Sequence, residues 1–111
     1  MNILLDTHYI LWLLFDDKKI SKSMKKIFSD PSNNFFVSAI SMWEISLKHS
    51  IKKLDLLDSN PKEIYLELIS LGIEFIDLNS KDASTCDRLP QDKNADPFDR
   101  MLIWQAISND L

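Results

Sequence analysis

Short apolar runs alternate with longer stretches of helical spacing along this chain, the pattern of βαβ units built around a parallel sheet. Asn2 to Leu5 reads as a buried strand, and Thr7 to Phe15 as a helix that is hydrophobic almost all round. Met24, Ile27 and Phe28 mark a helix over Ser21 to Ser29, and Asp30-Pro31 ends it, because the residue before a proline is driven toward extended backbone. Phe35 to Val37 is a second strand, and Ser38 is a natural N-cap for a helix running to about Lys53. Asn60-Pro61 with Glu63 supplies a cap, a proline at the first helical position and a reciprocal capping partner, and Gly72 is the expected left-handed stop. Ile73 to Ile76 reads as a third strand, followed by a helix from about Ser80 to Leu89, a loop rich in Asp, Lys and Asn, and a last helix from Pro97 to about Asn109. The expectation is one helix-rich α/β domain over residues 1–111, with no Gly/Ser-rich linker and no internal repeat.

Three acids fall where this pattern asks for hydrophobic or structural residues. Asp6 stands at the carboxyl end of the first strand, where ligands bind in open parallel sheets, and it reads equally as the cap of the helix that begins at Thr7. Glu44 falls inside the stripe Ile40, Leu47 and Ile51, so its carboxylate faces the interior and needs a partner, a proton or a metal. The competing reading makes Ser41 the cap and Glu44 its capping-box partner, although Ser38 follows the strand directly and is the better start. Asp99 precedes Ile103 and Ala106 by four and seven residues on a helix that reads as buried. Asp96 before Pro97 is first a helix cap and second a site residue.

Acids gathered at one crevice repel one another, and a hard divalent cation with oxygen ligands relieves that repulsion. A water on such an ion, made more acidic by it, attacks a phosphodiester phosphorus without help from a His or Ser nucleophile. His8 and His49 lack the spacing of a helical metal pair and read as structural or surface residues.

Composition narrows the classes further. A chain of 111 residues that is 45% hydrophobic and 27% charged is a soluble globular type, and Tyr9 to Phe15 is far too short to cross a bilayer. The start lacks the basic, apolar and small-residue segments of an export signal, so a cytoplasmic location is expected. Cys86 is the only cysteine, which excludes an internal disulfide and reads as a small packed residue. The net charge of −4 argues against binding nucleic acid through bulk charge. Charge is nevertheless uneven: residues 1–55 carry eight Lys against six acids, and residues 56–111 carry five Lys or Arg against eleven. Lys18, Lys19, Lys22, Lys25 and Lys26, with Lys48, Lys52 and Lys53, are solvated faces by default and the places for RNA phosphates if RNA binds.

The segments LLDTH (Leu4 to His8), VSAISMWEI (Val37 to Ile45) and LPQDKNADPFDRMLIWQA (Leu89 to Ala106) resemble, in order, the signature blocks of VapC-type PIN-domain toxins. The resemblance implies a three-layer α/β/α sandwich with a central parallel sheet, a Mg²⁺ or Mn²⁺ site, and endoribonuclease activity. It also implies a homodimer neutralised by a small cognate antitoxin. Carried over by position, it assigns Asp6, Glu44 and Asp99 as the acids of the site, Asp96 as an accessory ligand, and Thr7 as a hydrogen-bond partner of the first acid or its water; Lys22, Lys25 and Lys26 are the RNA-contact candidates. The family pattern continues into another strand and a fourth acid, and this chain ends at Leu111 before either, so the first strand is expected as an exposed edge. A truncated chain, a decayed toxin and completion by another subunit stay open, and with them a PIN-fold module that binds antitoxin or RNA without turnover. A haloacid-dehalogenase-like phosphatase, which also places an Asp after its first strand, wants a second Asp where His8 stands.

Overall fold

Apolar side chains at Leu5, Ile10, Val37, Ile45, Leu56, Ile64 and Leu68 meet in one buried core, and the elements that carry them alternate along the chain as strand and helix. The computed structural model describes residues 1–91 and 96–111. The elements are β1 (Asn2–Leu4), α1 (Thr7–Phe15), α2 (Lys22–Ser29), β2 (Asn34–Ser38), α3 (Ala39–Ser50), α4 (Pro61–Ser70), β3 (Glu74–Ile76), α5 (Ser80–Thr85) and α6 (Pro97–Ser108). Short 3-10 turns at Asp17–Lys19 and Cys86–Arg88 complete them, and the second takes the end of what the sequence suggests as one helix to Leu89. Most of the Asp-, Lys- and Asn-rich loop, residues 92–95, lies outside the described residues.

The strands pair in parallel in the order β1-β2-β3, with Leu4 opposite Phe36 and Ser38 opposite Ile76. Leu5, expected as the last residue of the strand, continues the ladder by donating its N–H to the Phe36 carbonyl at 2.9 Å. Within the described sheet β1 and β3 are the two edges. Parallel pairing brings the carboxyl ends of all three strands to one side of the domain, where Asp6, Ser38 and Asp77 follow or end their strands.

Helix α3 is three residues shorter than its apolar pattern suggests. Lys52 takes a left-handed φ of 60°, its N–H bonds to the His49 carbonyl at 3.1 Å, and the Lys53 N–H bonds to the Lys48 carbonyl at 2.8 Å. This is a Schellman closure. Gly72 ends α4 in the same way, with φ 80° and bonds from Gly72 and Ile73 to Ile69 and Leu68. After α3 the chain folds Leu56 into the core instead of continuing the helix.

The stripe expected on α3 is only half right. Its buried residues are Ile40, Ser41, Glu44 and Ile45, while Leu47 and Ile51 are exposed. The buried face is therefore rotated away from Leu47 and Ile51, and Glu44 belongs to it. On α6 Leu102 and Gln105 are buried, and Ile103 and Ile107 are exposed. Gln105, fully buried, accepts a hydrogen bond from the Ser38 hydroxyl and donates to the Asp77 carbonyl at 3.5 Å. These bonds latch α6 over the carboxyl ends of β2 and β3.

Candidate active site

Asp6 is a helix cap and a cleft residue at once. Its Oδ1 accepts the His8 backbone N–H at 2.7 Å and lies 3.0 Å from the His8 ring Nδ1. The same side chain lines a cleft of about 380 Å³ with Leu4, Leu5, Asp99, Leu102 and Ile103. The two readings of Asp6 are thus compatible, because a cap uses one oxygen of a carboxylate that has two. His8, which its spacing placed outside the chemistry, stands directly against the first acid.

Asp96 caps α6 and accepts the N–H groups of Phe98 and Asp99, at 2.7 and 3.4 Å. Pro97 at the first helical position then turns Asp99 toward the cleft, in the first turn of the helix. Burial holds the Asp99 carboxyl above the usual range, and the negative charges of Asp96, Asp6 and Glu44 add to the effect, with His8 opposing. Asp99 therefore feels the charges of all three other acids named from the sequence.

Glu44 is only 3% exposed. Ser38 caps α3 by accepting the Ile40 N–H at 3.0 Å, which removes the alternative in which Ser41 caps and Glu44 completes the box. Ser41 is instead buried and accepts the Thr7 hydroxyl at 2.9 Å, across the contact between α1 and α3. The Thr7 hydroxyl thus donates to Ser41 and bonds none of the acids, while its acceptor lone pairs stay available to a water. One Glu44 oxygen, Oε2, meets the Lys48 ammonium at 2.5 Å, and the other, Oε1, is buried without a partner among the described residues. The hydrogen bond from Lys48 to Glu44 is the main reason the ammonium holds its proton more tightly than usual; burial opposes it, and the charges of Glu44, Asp96 and Asp99 reinforce it.

Lys48, a surface residue by its sequence context, thus belongs to the site. The signal was present, since Glu and Lys four apart face each other on a helix. A second cavity of about 200 Å³, lined by Thr7, His8, Glu44, Lys48 and Lys53 among others, adjoins the acids. Lys22, Lys25 and Lys26 are carried on α2 and line neither the cleft nor this cavity.

Among the described residues no three His, Cys, Asp or Glu side chains close on a single point as a metal cage would. Three of the four acids are held by something else: Asp6 by His8, Asp96 by the start of α6, and Glu44 by Lys48. The donor set still fits a hard divalent ion. It consists of carboxylates, it leaves one buried oxygen of Glu44 unsatisfied, and the charges of its other members raise the proton affinity of Asp99, which an ion would reverse.

The fold is a parallel α/β sheet with Asp6 after its first strand, Glu44 on the helix after its second, and Asp99 on a helix latched over its carboxyl edge. The PIN domain family matches residues 3–111, and the chain belongs to that family. PIN domains are generally metal-dependent nucleases, and the six helices and three-stranded parallel sheet of the described residues have the PIN-like α/β/α arrangement. No curated protein and no solved structure matches the chain. No helix among the described residues is long and apolar enough to cross a membrane.

Proposed function

We propose that this protein is an endoribonuclease toxin of the VapC type, acting on RNA phosphodiester bonds with Mg²⁺ or Mn²⁺ and restrained by a small cognate antitoxin. The observation that carries this reading is that Asp6 and Asp99 line one cleft at the side of the sheet where parallel strands end, with the charge of the buried Glu44 bearing on Asp99. Asp6, Glu44 and Asp99 would hold the ion, with Asp96 beside them; the bound ion supplies an acidified water and charge neutralisation at the phosphate. Asp99, whose carboxyl ionises reluctantly in the metal-free protein, gains most from that neutralisation. Lys48 and Lys53, lining the adjoining cavity, offer donors to phosphate oxygens next to the acids.

An apolar groove of about 400 Å³ beside the site, lined by Ile40, Trp43, Leu78, Pro97, Phe98 and Met101, supports the antitoxin part of the reading. Trp43 there is 59% exposed and packs edge-on against Phe98 at 5.1 Å. Exposed Leu66 and Ile69 on α4 offer a separate surface for a homodimer. The grip of Lys48 on Glu44 favours one second reading, a PIN-fold module that binds antitoxin or RNA without turnover.

Incubating the full chain with a mixed RNA pool, with Mn²⁺ or with chelator, tests the proposal. Cleavage that needs the ion and disappears in Asp6→Asn, Glu44→Gln and Asp99→Asn is expected, together with growth arrest on expression that the same substitutions relieve. Binding of RNA with no cleavage at any Mn²⁺ concentration would select the module instead.

A further inference from the structure

Glu44 and Lys48 stand one turn apart on α3, and their contact is unusual in its asymmetry: the Glu44 side chain is 4% exposed and that of Lys48 36%. The carboxylate is therefore fixed in the protein, while the ammonium reaches it from the solvent side. Lys48 Nζ also lies 5.9 Å from the centre of the Phe98 ring, so it occupies the gap between α3 and the helix that carries Asp99. Beside it opens the 200 Å³ cavity that Lys48 itself lines, together with Lys53 and Leu54. An ammonium and a divalent ion held by one carboxylate stand a few ångströms apart and repel each other.

We propose that Lys48 is a displaceable internal counter-cation: its ion pair with Glu44 stands in for the metal, and loading a divalent ion transfers Glu44 from the ammonium to the ion while Lys48 swings into the adjoining cavity. The inference rests on the reading of Glu44 as a metal ligand. It explains why the acids do not close into a cage around a point while Glu44 keeps one oxygen buried and unsatisfied. It also weakens metal loading, since an ion taken by Glu44 is held against the repulsion of the Lys48 ammonium.

Free Mn²⁺ measured by electron paramagnetic resonance, with thermal melts, tests this on the full chain and its Lys48→Met, Lys48→Arg and Glu44→Gln variants. Lys48→Met should bind Mn²⁺ about tenfold more tightly, the effect of removing one positive charge a few ångströms from a doubly charged ion under near-aqueous screening. The same variant should melt lower without metal, because Glu44 is left buried alone, and gain more from Mn²⁺ than the natural chain does. Lys48→Arg should behave like the natural chain, and Glu44→Gln should bind weakly. A side-chain NMR titration of the natural chain with Mg²⁺ gives an independent readout, in which the Lys48 ε-methylene signal should move in step with ion binding. Equal or weaker Mn²⁺ binding in Lys48→Met, or a Lys48 signal that ignores bound Mg²⁺, overturns the counter-cation. If Asp99→Asn still abolishes ion binding, the metal-site reading survives that result. Absence of Mn²⁺ binding in both the natural chain and Lys48→Met overturns the two together.

Discussion

Asp99 shows how a single carboxyl group couples the candidate site to stability. Burial and the charges of Asp96, Asp6 and Glu44 raise its folded pKa above the ordinary value of 3.8, so the folded protein binds its proton more tightly than the unfolded chain does. The stability this group contributes is fully present below the unfolded pKa and is lost as pH rises through the folded one. Metal-free protein at neutral pH therefore carries a penalty at this residue. Asp99→Asn should remove it, so that the stability gain over the natural chain is absent at acid pH, grows as pH rises above about 4, and then levels off. Urea unfolding in chelator across pH checks this, and a difference that shrinks with rising pH contradicts the assignment. The substitution also forfeits a first-turn acid, an effect of only about 0.3–1 kcal/mol.

At the scale of elements, helix ends and helix seating decide where the acids go. Three helices, α3, α4 and α6, end on left-handed residues, Lys52, Gly72 and Asp110, and only one of these is glycine. Gly72→Ala should cost about 1 kcal/mol even though nothing lies within 4 Å of the added carbon, because the penalty is in the backbone. Lys52→Gly should do the reverse and stabilise by up to about 1 kcal/mol, less the entropy glycine adds to the unfolded chain. Paired denaturation midpoints test both, and a lower midpoint in Lys52→Gly would show that the lysine stem packs usefully. The seating of α6 depends on Gln105. Gln105→Leu leaves the buried Ser38 hydroxyl without its acceptor and should cost about 1–3 kcal/mol. Because that bond holds the helix bearing Asp99, the variant should also lose part of its Mn²⁺-induced stabilisation. A full metal response in a destabilised Gln105→Leu would separate the latch from the site.

Across the whole molecule, charge is divided between two roles. The net charge is −4, yet cations stand both at the acids, as Lys48 and Lys53, and along α2. Reversing Lys22, Lys25 and Lys26 to glutamate should weaken RNA binding and flatten its salt dependence, by about 0.7 in log–log slope for each single-strand phosphate that the lysines no longer neutralise. Ion binding at the acids, which α2 does not line, should be unaffected. Affinities across a salt series check this, and an unchanged slope removes α2 from the RNA path.

Much of this architecture is written locally and was legible in the chain. Ser38, Asn60-Pro61, Gly72 and Asp96-Pro97 are punctuation whose effect needs no tertiary partner, and each acts where the pattern places it. An acid interrupting an apolar stretch announces itself in the same way, which is how Glu44 stands out. Other features are decided only in three dimensions. The end of α3 at Ser50 was illegible because a lysine takes the place of the signalling glycine. Which face of α3 is buried depends on where its neighbouring elements pack, so Leu47 and Ile51 lie outside a core that their spacing suggested. Thr7 gives its hydroxyl to Ser41 because two helices cross there. The link from Ser38 to Gln105 joins residues 67 apart in the chain, and no local pattern encodes it. Sequence by itself determined the elements, their caps and the acids, since those follow from backbone and side-chain chemistry within a few residues. Only the tertiary structure decided that Asp6 and Asp99 share a cleft and that Glu44 is buried beside Lys48, because burial and shared clefts are properties of packing between distant segments.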